Sequence, residues 1–154
     1  MARDVRELML KRILVILESI DGYTAYRNRG EFPKESLPAL ILLDGSGFKK
    51  TETKGGGRSR MSHFDMVLTP QIFIVLRALT QANNDGVGEA LSAAAMLVLD
   101  AIVHDDELWY LMGADSGQIE WTNYDTDMQT GSSMTGSVRL DLAFTYVFDP
   151  EDLR

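Results

Sequence analysis

Residues 138–148 constrain the fold more than any other stretch of the chain. Val138, Leu140, Leu142, Phe144, Tyr146 and Phe148 alternate with Arg139, Asp141, Ala143, Thr145 and Val147, and Asp149-Pro150 follows. A period of two over eleven residues is that of a β-strand with one buried face, and proline cannot continue the ladder. Residues 63–78 alternate in the same way. Phe64, Met66, Leu68, Pro70, Ile72, Ile74 and Leu76 share one parity, and Asp65, Thr69, Gln71 and Arg77 share the other. This predicts a long strand, or two, with a break or edge position at Pro70.

Elsewhere the period is helical. Val5, Met9, Ile13, Ile16, Leu17 and Ile20 recur at helical spacing over residues 4–20, with Glu7, Lys11 and Glu18 opposite. Asp4 and Glu7 resemble a capping box, and Asp21-Gly22 reads as a C-terminal stop. Residues 85–104 form a second predicted helix after Asn83-Asn84-Asp85. Between Leu91 and Val103 only Ser92 and Asp100 are polar, so this helix is expected to be sandwiched between surfaces. The alanines at 93–95 would let a neighbouring backbone approach. Residues 23–35 predict a short strand and a loop, 37–43 a buried strand, 104–112 a short helix or turn, and 118–124 a strand followed by a turn near 131–136. Helices and sheet strands in this order predict an α+β domain. It is a mostly antiparallel sheet with two helices packed on one face.

Residues 45–62 break the pattern. They hold five glycines and, beyond Phe48 and Met61, nothing apolar. Such a composition predicts a long flexible loop. Only 44 residues precede it, too few for an independent core, so residues 1–154 read as one domain. The loop also concentrates charge: Lys49, Lys50, Lys54, Arg58 and Arg60 face a single Glu52. Residues 1–80 carry 13 basic and 9 acidic side chains, whereas residues 81–154 carry 2 and 14, within a total of −8. That asymmetry points to charge-guided self-association or an electrostatically selected partner. The five basic residues are the candidate interface.

The functional classes narrow by exclusion. The chain has no cysteine, which removes disulfides, thiolate metal sites and thiol nucleophiles. The apolar run at 13–17 is too short to span a bilayer, and no signal-peptide pattern is visible. A soluble intracellular protein without membrane contact is expected. His63 and His104 sit in no nucleophile or zinc motif. His104-Asp105-Asp106-Glu107 reads as a helix cap or solvated acidic turn rather than a metal site. Asp125-Thr126-Asp127 reads as a solvated turn, because it lacks the glycine and closing glutamate of a calcium loop. Gly55-Gly56-Gly57-Arg58 lacks the lysine and hydroxyl placement of a phosphate-binding loop. A protein contact or a solvated loop is favoured over direct DNA binding, since the chain is acidic and Phe48 is the loop's only stacking residue. No catalytic, metal or cofactor site is expected, and the sequence argues against an enzyme.

Three segments carry a resemblance. Leu68-Thr69-Pro70-Gln71-Ile72-Phe73-Ile74-Val75-Leu76 precedes the apolar helix and the acidic turn Asp105-Asp106-Glu107-Leu108. The last strand closes with Leu142-Ala143-Phe144-Thr145-Tyr146-Val147-Phe148-Asp149-Pro150. With the opening helix and the loop position, these resemble the tail terminator (tail completion, minor tail protein U-like) proteins of long-tailed bacteriophages. The resemblance implies a small α+β subunit of a homo-oligomeric ring, expected to be a hexamer. Such a ring caps the tail tube in the virion, halts its polymerisation and offers a surface to the head–tail connector. DNA would cross the lumen without specific binding. The length and basicity of the loop at 45–62 depart from the family pattern. A head–tail connector or other adaptor gripping an acidic partner through that loop is the alternative.

Overall fold

The computed structural model describes residues 2–29, 38–50, 63–77, 84–113, 117–129 and 135–153. Helix α1 spans Val5–Glu18. Asp4 caps it, its carboxylate accepting from the Glu7 backbone N–H at 3.1 Å. The helix ends a turn before Gly22, where the Ser19 hydroxyl donates to the Ile16 carbonyl at 2.6 Å. Helix α2 spans Asn84–Val103 and α3 spans Asp106–Met112. Asp105 caps α3 through the Leu108 N–H, as the cap reading anticipated, and Gly113 closes it in the left-handed region at φ +90°. A 3-10 turn, Pro150–Leu153, follows the last strand.

Among the described residues there are five strands, β1 (Thr24–Arg27), β2 (Ala39–Lys49), β3 (Phe64–Arg77), β4 (Gln118–Gln129) and β5 (Thr135–Phe148). They form one sheet in the order β1-β2-β3-β5-β4. Only β1 and β2 run parallel; the other three pairings are antiparallel. The fold is therefore the expected α+β arrangement, with α3 as a third, short helix. One face of the sheet builds the core. Leu40, Leu42, Leu68, Ile72, Ile74, Val138, Leu140, Leu142, Phe144 and Tyr146 meet Met9, Leu10, Ile13 and Leu17 of α1, Leu91, Ala95, Val98 and Ile102 of α2, and Leu108 and Met112 of α3. In β3 and β5 these are the parities that the alternation assigned to the interior. Burying each large aliphatic or aromatic side chain stabilises the fold by about 1.5–3 kcal/mol.

Three local expectations are corrected. First, residues 45–49 are strand, not loop. Gly45 sits at a bulge between Leu43 and Ser46 at φ +68°, and a Cβ there would collide with the Thr69 carbonyl. Beyond the bulge the backbone pairs with β3 as far as Lys49–Met66, and that ladder offsets the poor strand propensity of glycine and serine. Second, β4 continues to Gln129, so Asp125-Thr126-Asp127 lies in a strand; pairing with Arg139, Val138 and Ser137 extends it. Third, α2 packs on one side only. Leu91, Ala94, Ala95, Val98 and Ile102 are buried, whereas Ala93, Met96, Leu97 and Val103 form an exposed stripe.

Irregularities line up across the sheet. The β2 bulge, Pro70 in β3 and a second bulge between Trp121 and Asn123 in β4 lie side by side. They border a polar cleft of about 370 Å³ on the face away from the helices, lined by Ser46, Thr69, Gln71, Thr122 and Asp141 among others.

Candidate assembly surfaces

Of the five candidate cations, Lys49 and Lys50 lie among the described residues; Lys54, Arg58 and Arg60 lie outside them. Lys49 ends β2, with its ammonium 4.9 Å from the centroid of the Phe64 ring. Phe64 in turn stacks on Phe148 across the β3–β5 pair at 4.8 Å. An exposed cation–π contact of this kind is worth about 0.5–1 kcal/mol. The Lys50 N–H donates to the Asp65 carbonyl at 2.9 Å. Both cations thus stand where β2 and β3 part, at the end of the sheet beneath the start of α1.

That end holds a cavity of about 340 Å³. Val5, Met66, Tyr146, Phe148 and Leu153 supply apolar walls, and Ala2, Arg3, Asp4 and Arg6 complete it. The Arg6 stem passes close to the bare backbone of Gly47. Its Nε is buried and has no hydrogen-bond acceptor among the described residues. Burial pushes the Tyr146 phenol upward from its ordinary pKa.

Strand β4 forms the opposite edge of the sheet. Its pairing places Ile119, Trp121 and Tyr124 on the helix-bearing side, opposite Phe144, Leu142 and Leu140. Ile119 packs into the core, but Trp121 and Tyr124 remain 45% and 36% exposed. The two rings meet edge to face at 5.8 Å, and the Trp121 indole N–H donates to the Asn123 carbonyl at 2.9 Å. Glu120, Asp125 and Asp127 stand exposed along the same strand. The sequence reading treated 118–124 as an ordinary strand and passed over this pair. Aromatics interleaved with carboxylates along one strand were the available signal.

Two arginines tie α1 to its neighbours. Arg12 of α1 makes paired hydrogen bonds to Asp105 at 2.9 and 2.7 Å and reaches Glu107 at 2.9 Å. Arg27 of β1 bridges Glu7 and Asp44 through four hydrogen bonds of 2.8–2.9 Å. Hydrogen bonding to these guanidinium groups holds the Asp105, Glu7 and Asp44 carboxyls below their ordinary pKa values. On the far face Arg139 pairs with Asp141 at 3.1 Å and approaches Asp125 at 3.7 Å.

His63 approaches Asp149 at 3.2 Å and His104 approaches Asp100 at 3.0 Å, both at the surface. Among the described residues, no three His, Asp or Glu side chains are grouped to hold a metal ion, and no helix is long and apolar enough to cross a membrane. No protein-family model matches the chain, and no curated protein matches it.

Proposed function

We propose that the chain is a structural virion protein, the subunit of a ring that caps the tail tube of a long-tailed bacteriophage. In this role it ends tube polymerisation and offers the head–tail connector a docking surface, without catalysis. The observation that carries the reading is the pairing of two unlike surfaces on one subunit. The β4 edge carries Trp121 and Tyr124 on one face and Glu120, Asp125 and Asp127 on the other; Lys49 and Lys50 stand at the end of β2. Surfaces that complement each other but not themselves favour head-to-tail contacts, which close into rings. The uncovered apolar stripe of α2 adds surface that association would bury. The resemblance in element order to tail terminators supplies the place of such a ring in the virion. A lumen lined by carboxylates would let DNA pass without adhering.

The test combines sedimentation over a wide concentration range with tail assembly. The wild-type chain is expected to form closed oligomers at high concentration or on tube ends, and to stop tube growth. Replacing Lys49, Lys50, Lys54, Arg58 and Arg60 with serine should leave folding intact and impair the joining of tails to heads. The effect should have the salt sensitivity of several weak pairs acting together. A wild-type chain that stays monomeric and leaves tubes growing refutes the reading. An adaptor would show that behaviour together with binding to an acidic partner.

A further inference from the structure

We propose that the sheet continues from one copy to the next, the outer edge of β4 pairing antiparallel with the outer edge of β1 of a neighbouring copy. This junction rests on the ring reading and specifies how its subunits join. The backbone, the strand directions and the side chains of the two faces each lead to it.

Among the described residues the sheet has two unpaired edges, β1 and β4. On β1 the Thr24 and Asn28 N–H groups turn inward, donating to the Pro38 and Leu42 carbonyls at 3.1 and 2.7 Å. Successive residues of a strand direct their backbone groups to opposite sides, so the N–H and C=O of Ala25 and Arg27 face outward. Strand β4 is twelve residues long and contains neither proline nor lysine, two of the devices that keep an edge from pairing. Residues 120–127 are exposed throughout. A row of open donors and acceptors on each edge is what a partner strand takes up.

The directions agree. β1 runs with β2, and the β2–β3, β3–β5 and β5–β4 pairs are each antiparallel, so β4 runs opposite to β1. Copies repeated with their helices on the same side of the sheet therefore bring β4 against β1 antiparallel, the more stable pairing per residue.

The side chains match face by face. Glu120, Asp125 and Asp127 sit opposite Ala143, Arg139 and Ser137, on the face away from the helices. Arg139 already approaches Asp125, whereas Glu120 and Asp127 have no cationic partner among the described residues. On β1, Ala25 packs on the core and Arg27 reaches Glu7 of α1, so Tyr26 points to the face away from the helices. The exposed Arg29 guanidinium lies over the Tyr26 ring at 5.0 Å and stands on that same face. On the helix-bearing face the junction sets Trp121 and Tyr124 beside the small Ala25 side chain and beside the neighbour's α1, which Arg27 ties to β1. Covering the pair strands no indole donor, since Asn123 already accepts from Trp121. Like edges do not match: two β4 strands would oppose carboxylate to carboxylate, and two β1 strands offer only four residues each. A second copy joined unlike edge to unlike edge is therefore the occupant, and each copy engages two neighbours.

Full-length variants test each element. Ala25→Pro removes an outward N–H and spares the β2 ladder, a place where an edge strand admits proline. Arg29→Glu reverses the cation, Glu120→Lys with Asp127→Lys reverses the carboxylates, and a fourth chain carries all three reversals. Circular dichroism and urea midpoints verify folding, and the surface reversals decide the matter should the proline variant not fold. Association is read by sedimentation, free and on tube ends. The proline variant and each side's reversal should associate about 10-fold more weakly than wild type, and the chain with all three reversals should recover. On assembly the wild type should slow amide exchange at Ala25 and Arg27. Wild-type-like association of a folded Ala25→Pro or of Arg29→Glu, or no recovery in the triple reversal, overturns the junction while leaving the ring reading intact. Tail joining impaired by the Glu120/Asp127 reversal alone assigns the β4 edge to a strand of another protein, and overturns it too. A wild type that neither associates nor halts tubes overturns the ring reading, and the junction with it.

Discussion

Replacing Asp105 tests how the helical layer is held to itself. Its carboxylate caps α3 through the Leu108 N–H at 2.9 Å and grips Arg12 of α1, 93 residues away, through two hydrogen bonds. At seven residues α3 is far too short to persist alone, so its position depends on such contacts. The Asp105 and Arg12 side chains are 14% and 28% exposed, which places the pair between a surface and a buried ion pair. Loss of an N-cap costs about 0.5–2 kcal/mol, and hydrogen bonds to a charged group contribute about 1.5–3 kcal/mol. Arg12 keeps Glu107 and water, which recovers part of the second sum. Asp105→Ala should therefore lose about 2–4 kcal/mol, a fall in Tm of roughly 5–12 °C for a chain of this size. Asp105→Asn keeps the cap acceptor and should lose about half as much. Urea unfolding at pH 7 measures both. The pH dependence has a fixed sign. Arg12 holds the folded carboxyl below its ordinary value of 3.8, so its contribution is complete above that value and disappears as pH falls through the folded one. The gap between wild type and Asp105→Ala should be flat from pH 7 to about 5 and narrow below about pH 4. An Ala variant within about 0.5 kcal/mol of wild type, or a gap that widens on acidification, refutes the reasoning.

Two further substitutions probe the sheet. Phe144→Ala removes a fully buried ring from β5 and should cost about 3–5 kcal/mol; an unchanged urea midpoint would remove Phe144 from the core. Gly45→Ala forces a side chain into the left-handed region, about 1–2 kcal/mol of strain, and against the Thr69 carbonyl. It should accelerate amide exchange at residues 46–49 while α1 stays protected; exchange equal to wild type there would refute the bulge's need for glycine.

What was legible in the sequence was whatever repeats locally. Parity placed Val138, Leu140, Leu142, Phe144 and Tyr146 in the core, and Asp4 and Asp105 were readable as caps because a cap acts within one turn. Residues 45–49 were misread because composition reports propensity, while the β3 partner that overrides it lies twenty residues away. The Arg12–Asp105 bond leaves no local trace, since neither side chain differs in sequence from any solvated charge. The outer stripe of α2 was recognised as apolar and assigned a cover that the single chain does not supply. The charge asymmetry singled out Lys49 and Lys50, and the structure places both where β2 and β3 part. The Trp121–Tyr124 pair was missed because its exposure follows from β4 being an edge, and strand order cannot be read from a period.

The place of β5 has a consequence in time. It lies between β3 and β4 in the sheet yet is C-terminal to both. During synthesis, at ~5–20 residues per second, β3 emerges with β2 to pair with on one side, and its other edge stays open while α2, α3 and β4 are made. β4 has no strand neighbour at all until residues 135–148 have left the ribosome. The sheet is therefore completed by one late, non-local insertion, a slow kind of step. Before it, the growing chain presents the open β5-facing edge of the strongly apolar residues 72–76, a surface that invites pairing with other chains. Nascent chains that stall before β5 should be more prone to aggregate than the finished protein, whatever its final stability.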